Sequence, residues 1–153
     1  MCDKNVSTNC KLRIFSALIE SIFLYNCELW GMTQKQQKQV DTTQRQFLRW
    51  IFGFHYTKSK EHWPTNDNLY SVTKQIPWSV TIRQRRLSFF GHICRLPEST
   101  PARIALEEAL KPTKKLCGGQ KTTYLNVLVK DLKDLNLTVN NAIEIAQDRV
   151  EWR

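Results

Sequence analysis

Pro77-Trp78-Ser79-Val80-Thr81-Ile82-Arg83-Gln84-Arg85-Arg86-Leu87-Ser88-Phe89-Phe90-Gly91-His92-Ile93-Cys94-Arg95-Leu96-Pro97 is the stretch on which the reading of this chain turns. Proline opens it, at a helix position where a missing N–H costs nothing, and a second proline closes it. Between them Val80, Leu87, Phe90 and Ile93 recur at helical spacing. Arg85, Ser88, His92 and Arg95 follow one another at intervals of three and four, which places them on one side of a helix. The predicted helix thus carries a cationic stripe backed by an apolar one. Gly91 inside it costs about 1 kcal/mol relative to Ala, which points to the close approach of another backbone.

Outward from this helix the same periodicity continues. Leu12, Phe15, Ile19 and Ile22 form one stripe, and Ile14, Leu18, Tyr25 and Leu29 a second. A helix apolar on two faces is a central one, so a buried helix is expected from about Ser7 to Trp30, capped by Ser7 or Asn9 and stopped at Gly31. From Thr33 to Phe52 a helix should be solvated over Gln34 to Gln39 and docked through Val40, Phe47, Leu48, Trp50 and Ile51. A loop follows to Asn66, then a short helix to about Lys74 with Leu69 and Val72 inward. Pro101 to Leu110 reads as a further helix. Beyond a basic loop, Lys111 to Lys121, the pattern predicts helices over Thr122–Leu135 and Val139–Trp152. No strand-period alternation of useful length and no repeat occurs. The expected fold is mainly α: a compact multi-helix bundle over 1–97, a basic linker with a short helix over 98–121, and a small C-terminal helical pair over 122–153.

Composition agrees. The 153 residues include only 5 Gly and 5 Pro, which disfavours an all-β domain. Lys and Arg number 23 against 14 Asp and Glu, a net charge of +9. Residues 83–121 alone carry net +6, while 122–153 carry net −1. A polyanionic partner is the natural expectation. The 5 cysteines (Cys2, Cys10, Cys27, Cys94, Cys117) are odd in number and irregular in spacing, and no apolar leader follows Met1. Free thiols in an intracellular setting, cytoplasmic or nuclear, are expected. Ile14 to Trp30 is interrupted by Glu20, Asn26 and Glu28, so no membrane span is expected.

Catalytic chemistry finds no foothold. There is no GxSxG elbow and no acidic pair for two-metal chemistry, and Cys117-Gly118-Gly119-Gln120-Lys121 lacks phosphate-loop spacing. His92 and Cys94 with Cys117 fall short of the paired ligands that a zinc site draws from two arms. The chain is therefore expected to be non-catalytic, with no metal and no cofactor. Glu28 is expected to partner a core arginine. The residues expected to grip nucleic acid are Arg83, Arg85, Arg86, His92, Arg95, Arg103, Lys114, Lys115 and Lys121, since guanidinium and ammonium groups neutralise phosphates. The competing reading of the arginines is a solvated face whose stems pack on the core. Tyr56, His55 and Trp63 could stack on bases, although most aromatic residues sit at core spacing.

Four motifs in order carry a resemblance. Lys11-Leu12-Arg13-Ile14-Phe15, followed by Leu24-Tyr25-Asn26-Cys27-Glu28-Leu29-Trp30, is similar to the "K-L-R-I-F … L-L-Y-G-C-E-x-W" helix that follows the palm in reverse transcriptases of non-LTR (LINE-type) retrotransposons. Ile82 to Pro97 resembles their "I-R-x-R-R-L-R-W-F-G-H-I-x-R-L-P". Gly118 to Tyr124 is similar to "G-R-P-K-x-T-W", with Gly119, Gln120 and Tyr124 where Arg, Pro and Trp are usual. Ala146-Gln147-Asp148-Arg149-Val150-Glu151-Trp152-Arg153 resembles the closing "A-Q-D-R-x-x-W-R". The resemblance implies a thumb-like helical region and C-terminal segment, a fragment lacking the polymerase palm and endonuclease, that binds template RNA and RNA/DNA hybrid. The alternative that it implies is a structural or protein-interaction lobe that packs on a polymerase palm.

Overall fold

The computed structural model describes residues 6–53, 65–111 and 122–152, and in these the chain is mainly helical. Helix α1 (Thr8–Ile14) runs into a π-helical segment (Phe15–Glu20) and a last α-helical turn, α2 (Ser21–Phe23). A 3₁₀ turn (Cys27–Leu29) follows, then α3 (Gln34–Ile51), α4 (Asn66–Thr73), α5 (Trp78–Cys94), α6 (Pro101–Leu110), α7 (Tyr124–Lys133) and α8 (Val139–Ile145). The starts are written in the sequence. Ser7, Thr65, Thr123 and Thr138 each accept a hydrogen bond from a first-turn N–H of the helix that follows, which satisfies one of that helix's unpaired donors.

Two compact units divide the chain. They do not follow the sequence boundaries at 97 and 121. The first comprises Met1–Tyr25 and Gln34–Thr81, the second Asn26–Thr33 and Ile82–Arg153. The division falls inside α5 because Phe90, Ile93 and Cys94 of that helix share a core with Leu106, Leu128, Leu132, Ala142 and Ala146.

The first unit is organised by Trp78, which is wholly buried. Phe15 lies parallel to it at 6.0 Å, Phe23 stacks on it at 4.4 Å with a 23° tilt, and its indole N–H donates to Glu20 Oε1 at 2.7 Å. Helix α3 caps the start of α5. The buried Gln44 accepts from the Trp78 N–H at 2.9 Å and the Tyr70 hydroxyl at 3.2 Å, and donates to the Ile76 carbonyl at 2.8 Å. Asp41 accepts from the Ser79 N–H and hydroxyl at 2.8 and 2.7 Å. Every polar atom of the Gln44 amide that this buried position most needs to pair is thereby used.

Here the sequence expectation needs correction. The first helix is not central. Ile14, Leu18, Ile22 and Tyr25 are exposed, Ile22 by 75%, while Phe15 and Leu24 are buried. Nine residues at 100° each would put Phe15 and Leu24 on opposite sides of an α-helix. The π-helical segment between them, with its wider i→i+5 turn, rotates the following residues back toward the core. The helix also stops earlier than Gly31, since Asn26 adopts the left-handed conformation (φ 51°), which asparagine tolerates. Val72 and Val80 point outward as well, at 65% and 41% exposure. The last helix ends at Ile145 rather than Trp152. Asp148 Oδ1 accepts from the N–H groups of Val150 and Glu151, a local turn that competes with helical bonding. Among the described residues no helix is long and apolar enough to cross a membrane.

Candidate nucleic-acid interface

Most of the arginines expected to face a polyanion are engaged within the second unit. Arg86 is 1% exposed. Its Nη1 pairs with Asp131 Oδ2, and its Nη2 donates to the Trp30 carbonyl at 3.2 Å. Arg83 reaches the same Asp131 at 3.6 Å and Asp134 at 3.4 Å, and donates to the Asp131 carbonyl at 2.8 Å. Arg103 pairs with Glu107 at 2.6 Å and donates to the Cys94 carbonyl at 2.9 Å. Arg86 is therefore a core residue rather than a surface contact, and Arg83 and Arg103 are bridging residues. Charges without a partner are costly in a low-dielectric interior, so a guanidinium this deep requires its carboxylate. That carboxylate is Asp131, not Glu28. Asp131 had a legible signal: it lies three residues after Leu128 and four before Leu135, on the apolar stripe of α7.

The stripe of Arg85, Ser88, His92 and Arg95 does form one side of α5. Arg85, Ser88 and His92 are exposed and Arg95 is half-buried. Arg85 Nη1 lies 3.9 Å from the Cys27 sulfur. Burial pushes the Cys27 thiol up, and the Arg85 charge acts against that rise. Burial likewise pushes the Cys94 thiol up, opposed by Arg103 and Arg95.

Beside this stripe lies a groove of about 810 Å³. Its walls are Gln84, Leu87, Ser88, His92 and Arg95 of α5 and the residues that follow it, with Leu135, Arg149 and Trp152 opposite. The C-terminal turn is fixed on α5 by several bonds. Trp152 Nε1 donates to the Leu87 carbonyl at 3.0 Å, Arg95 Nη1 to the Ala146 carbonyl at 2.7 Å, and Gln147 Nε2 to the Cys94 carbonyl at 3.1 Å. Gly91 makes the docking possible, because a Cβ there would fall 2.3 Å from Trp152 Nε1. The close approach expected at Gly91 is thus real, but an indole makes it, not a backbone. Among the described residues no carboxylate lines the groove, and neither Arg95 nor Arg149 forms an ion pair. Arg149, which the sequence expectation leaves out, also stands on the groove wall, and its signal lies in the closing segment that returns to α5.

Lys114, Lys115 and Lys121, the Cys117 of the zinc reading, and the loop residues His55, Tyr56 and Trp63 lie outside the described residues. Among those described, no three His, Cys, Asp or Glu side chains gather where they could hold a metal, and Cys10, Cys27 and Cys94 carry free thiols.

The first unit has a cleft of a different kind. It measures about 470 Å³ and is lined by Ile14, Phe15, Leu18, Ile19, Phe47, Trp50 and their neighbours, with Lys11 the one charged residue on its wall among the described residues. No protein-family model, curated protein or solved structure matches this chain.

Proposed function

We propose that the chain is a non-catalytic, nucleic-acid-binding segment, the thumb and C-terminal region of a non-LTR retrotransposon reverse transcriptase, acting inside the cell on template RNA and RNA/DNA hybrid. The observation that carries this reading is the groove beside α5, where Ser88, His92, Arg95 and Arg149 converge with no acidic wall residue among the described residues. Guanidinium groups in such a setting take phosphate oxygens, and each neutralised phosphate releases counterions. The four ordered motifs supply the family. The test is fluorescence anisotropy of labelled template RNA and RNA/DNA hybrid across a salt series. Affinity should fall with a log–log slope of roughly −0.7 to −0.9 per phosphate contacted. Arg95→Gln with Arg149→Gln, the two guanidinium groups on the groove wall, should flatten it by about two phosphates' worth. An unchanged slope and affinity in that variant ends the reading. Purified chain should show no Mg²⁺-dependent primer extension, and a signal that survives controls would contradict the non-catalytic assignment.

A second reading is favoured by the exposed apolar residues of the first unit. Ile14, Leu18, Ile22 and Tyr25 leave a helix side uncovered next to the apolar cleft, as a lobe that packs on a polymerase palm would. Mixing the chain with the palm of a non-LTR reverse transcriptase should give a complex that Ile22→Glu abolishes. Absence of a complex with the unaltered chain removes this reading.

A further inference from the structure

The groove beside α5 combines charge and aromatic surface in a small space. Its volume, about 810 Å³, is in the range of sites that enclose a small organic ligand, roughly 300–1,000 Å³. That is room to take in a nucleotide or two of one strand, whereas a double helix would meet the groove only through its phosphates. Each of its two walls carries one guanidinium and one aromatic ring, Arg95 with His92 on one side and Arg149 with Trp152 on the other. Arg95 and Arg149 offer charge, and Arg95 is held in place through its bond to the Ala146 carbonyl. Trp152 has already donated its only N–H to Leu87. What the indole presents to the groove is therefore aromatic carbon, with the exposed His92 ring on the facing helix. Aromatic surface beside fixed cations is how proteins hold unpaired bases, because every base has a face to stack and every nucleotide a phosphate. A duplex hides its base faces and would use only the charges.

We propose that the groove is a single-strand site, in which a base lies against Trp152 and His92 while the adjoining phosphates meet Arg95 and Arg149. This rests on the nucleic-acid reading above and narrows it to one strand. Gln84 and Ser88 stand on the same wall and can bond base edges or sugar hydroxyls without fixing a sequence. The site should accept RNA and DNA single strands and discriminate weakly among bases.

The experiment uses the full chain and labelled oligonucleotides of about ten nucleotides, within the usual single-strand site size. An RNA strand, the matching DNA strand, the blunt RNA duplex and the RNA/DNA hybrid are titrated at low and physiological salt. Both single strands should bind roughly tenfold more tightly than either duplex, the effect of stacking about one base. His92→Ala should weaken single strands about fivefold or more and leave the duplexes unchanged. Arg149→Gln should lower the single-strand salt slope by about 0.7. Lys35→Gln, which removes an exposed charge from α3 in the first unit, should leave the strand preference in place. Circular dichroism of each variant checks that the fold is kept. Duplexes that bind as tightly as single strands, or a His92→Ala effect equal on both, overturn the single-strand assignment while the phosphate-binding function stands. Absence of binding to all four overturns both.

Discussion

Replacing Arg86 by Met should destabilise the chain by about 3 kcal/mol, and Asp131→Asn by about 5 kcal/mol, the two ends of the range for breaking a buried ion pair by removing one partner. The asymmetry follows from the neighbours. Without Arg86, Asp131 still faces Arg83 at 3.6 Å. Without the Asp131 charge, the Arg86 guanidinium, 1% exposed, keeps only the neutral Trp30 carbonyl and the neutral amide. For a chain of this length each kcal/mol moves Tm by about 2–4 °C, so losses of roughly 6–20 °C are expected by circular dichroism. Arg86→Met combined with Asp131→Leu should recover much of this, since an apolar pair of similar volume leaves no charge stranded. The salt slope of RNA binding should not change in Arg86→Met protein that remains folded. An Arg86→Met variant with wild-type Tm and weakened RNA binding would refute the argument and return Arg86 to the surface role that its sequence context suggests.

Gln44→Leu should cost about 2–4 kcal/mol, because it strands the Trp78 N–H, the Tyr70 hydroxyl and the Ile76 carbonyl together; a urea midpoint equal to wild type would contradict the capping of α5 by α3. Ile22→Glu should change stability by no more than about 0.5 kcal/mol, and a large loss of Tm would show that α2 is covered in solution. Burial pushes the Tyr124 phenol up to about 12, with Arg86 acting against the rise. The folded protein therefore holds that proton more tightly than the unfolded chain, whose tyrosines titrate near 10. The resulting stability is complete below about pH 10 and is lost as pH rises toward about 12. Tyr124→Phe should flatten this decline in urea midpoints, leaving the part due to Tyr70 and to the Cys27 and Cys94 thiols, all of which burial also raises; an equally steep decline in the variant would show that Tyr124 is not the source.

The helices were largely legible from periodicity and caps. Pro101–Leu110 falls where the sequence puts it, and α3 and α5 begin and end within a few residues of their predicted limits. What failed did so for identifiable reasons. A π-helical segment changes the phase of the apolar pattern between Phe15 and Leu24, and a constant 100° step cannot register it. The cationic stripe lies along one side of α5, as its spacing requires. Spacing put Arg83 and Arg86 on α5 without revealing that Asp131, on α7, would take both. The same holds for Arg149. Its part in the groove depends on a turn at Asp148 and on the Trp152 indole lying against Gly91, contacts between segments far apart along the chain.

The meeting of Gly91 and Trp152 sets a rule for descent as well as for shape. A helix gains about 1 kcal/mol when Gly becomes Ala, so helix propensity alone favours a methyl group at position 91. The indole 2.3 Å from where that methyl would sit opposes the change. The two positions are therefore locked as a pair. Any relative that fills position 91 must carry a smaller residue in place of the tryptophan, and with it must lose the aromatic wall opposite α5. One that keeps both keeps the cleft. Coupled variation at these two sites among related sequences would be the mark of that lock.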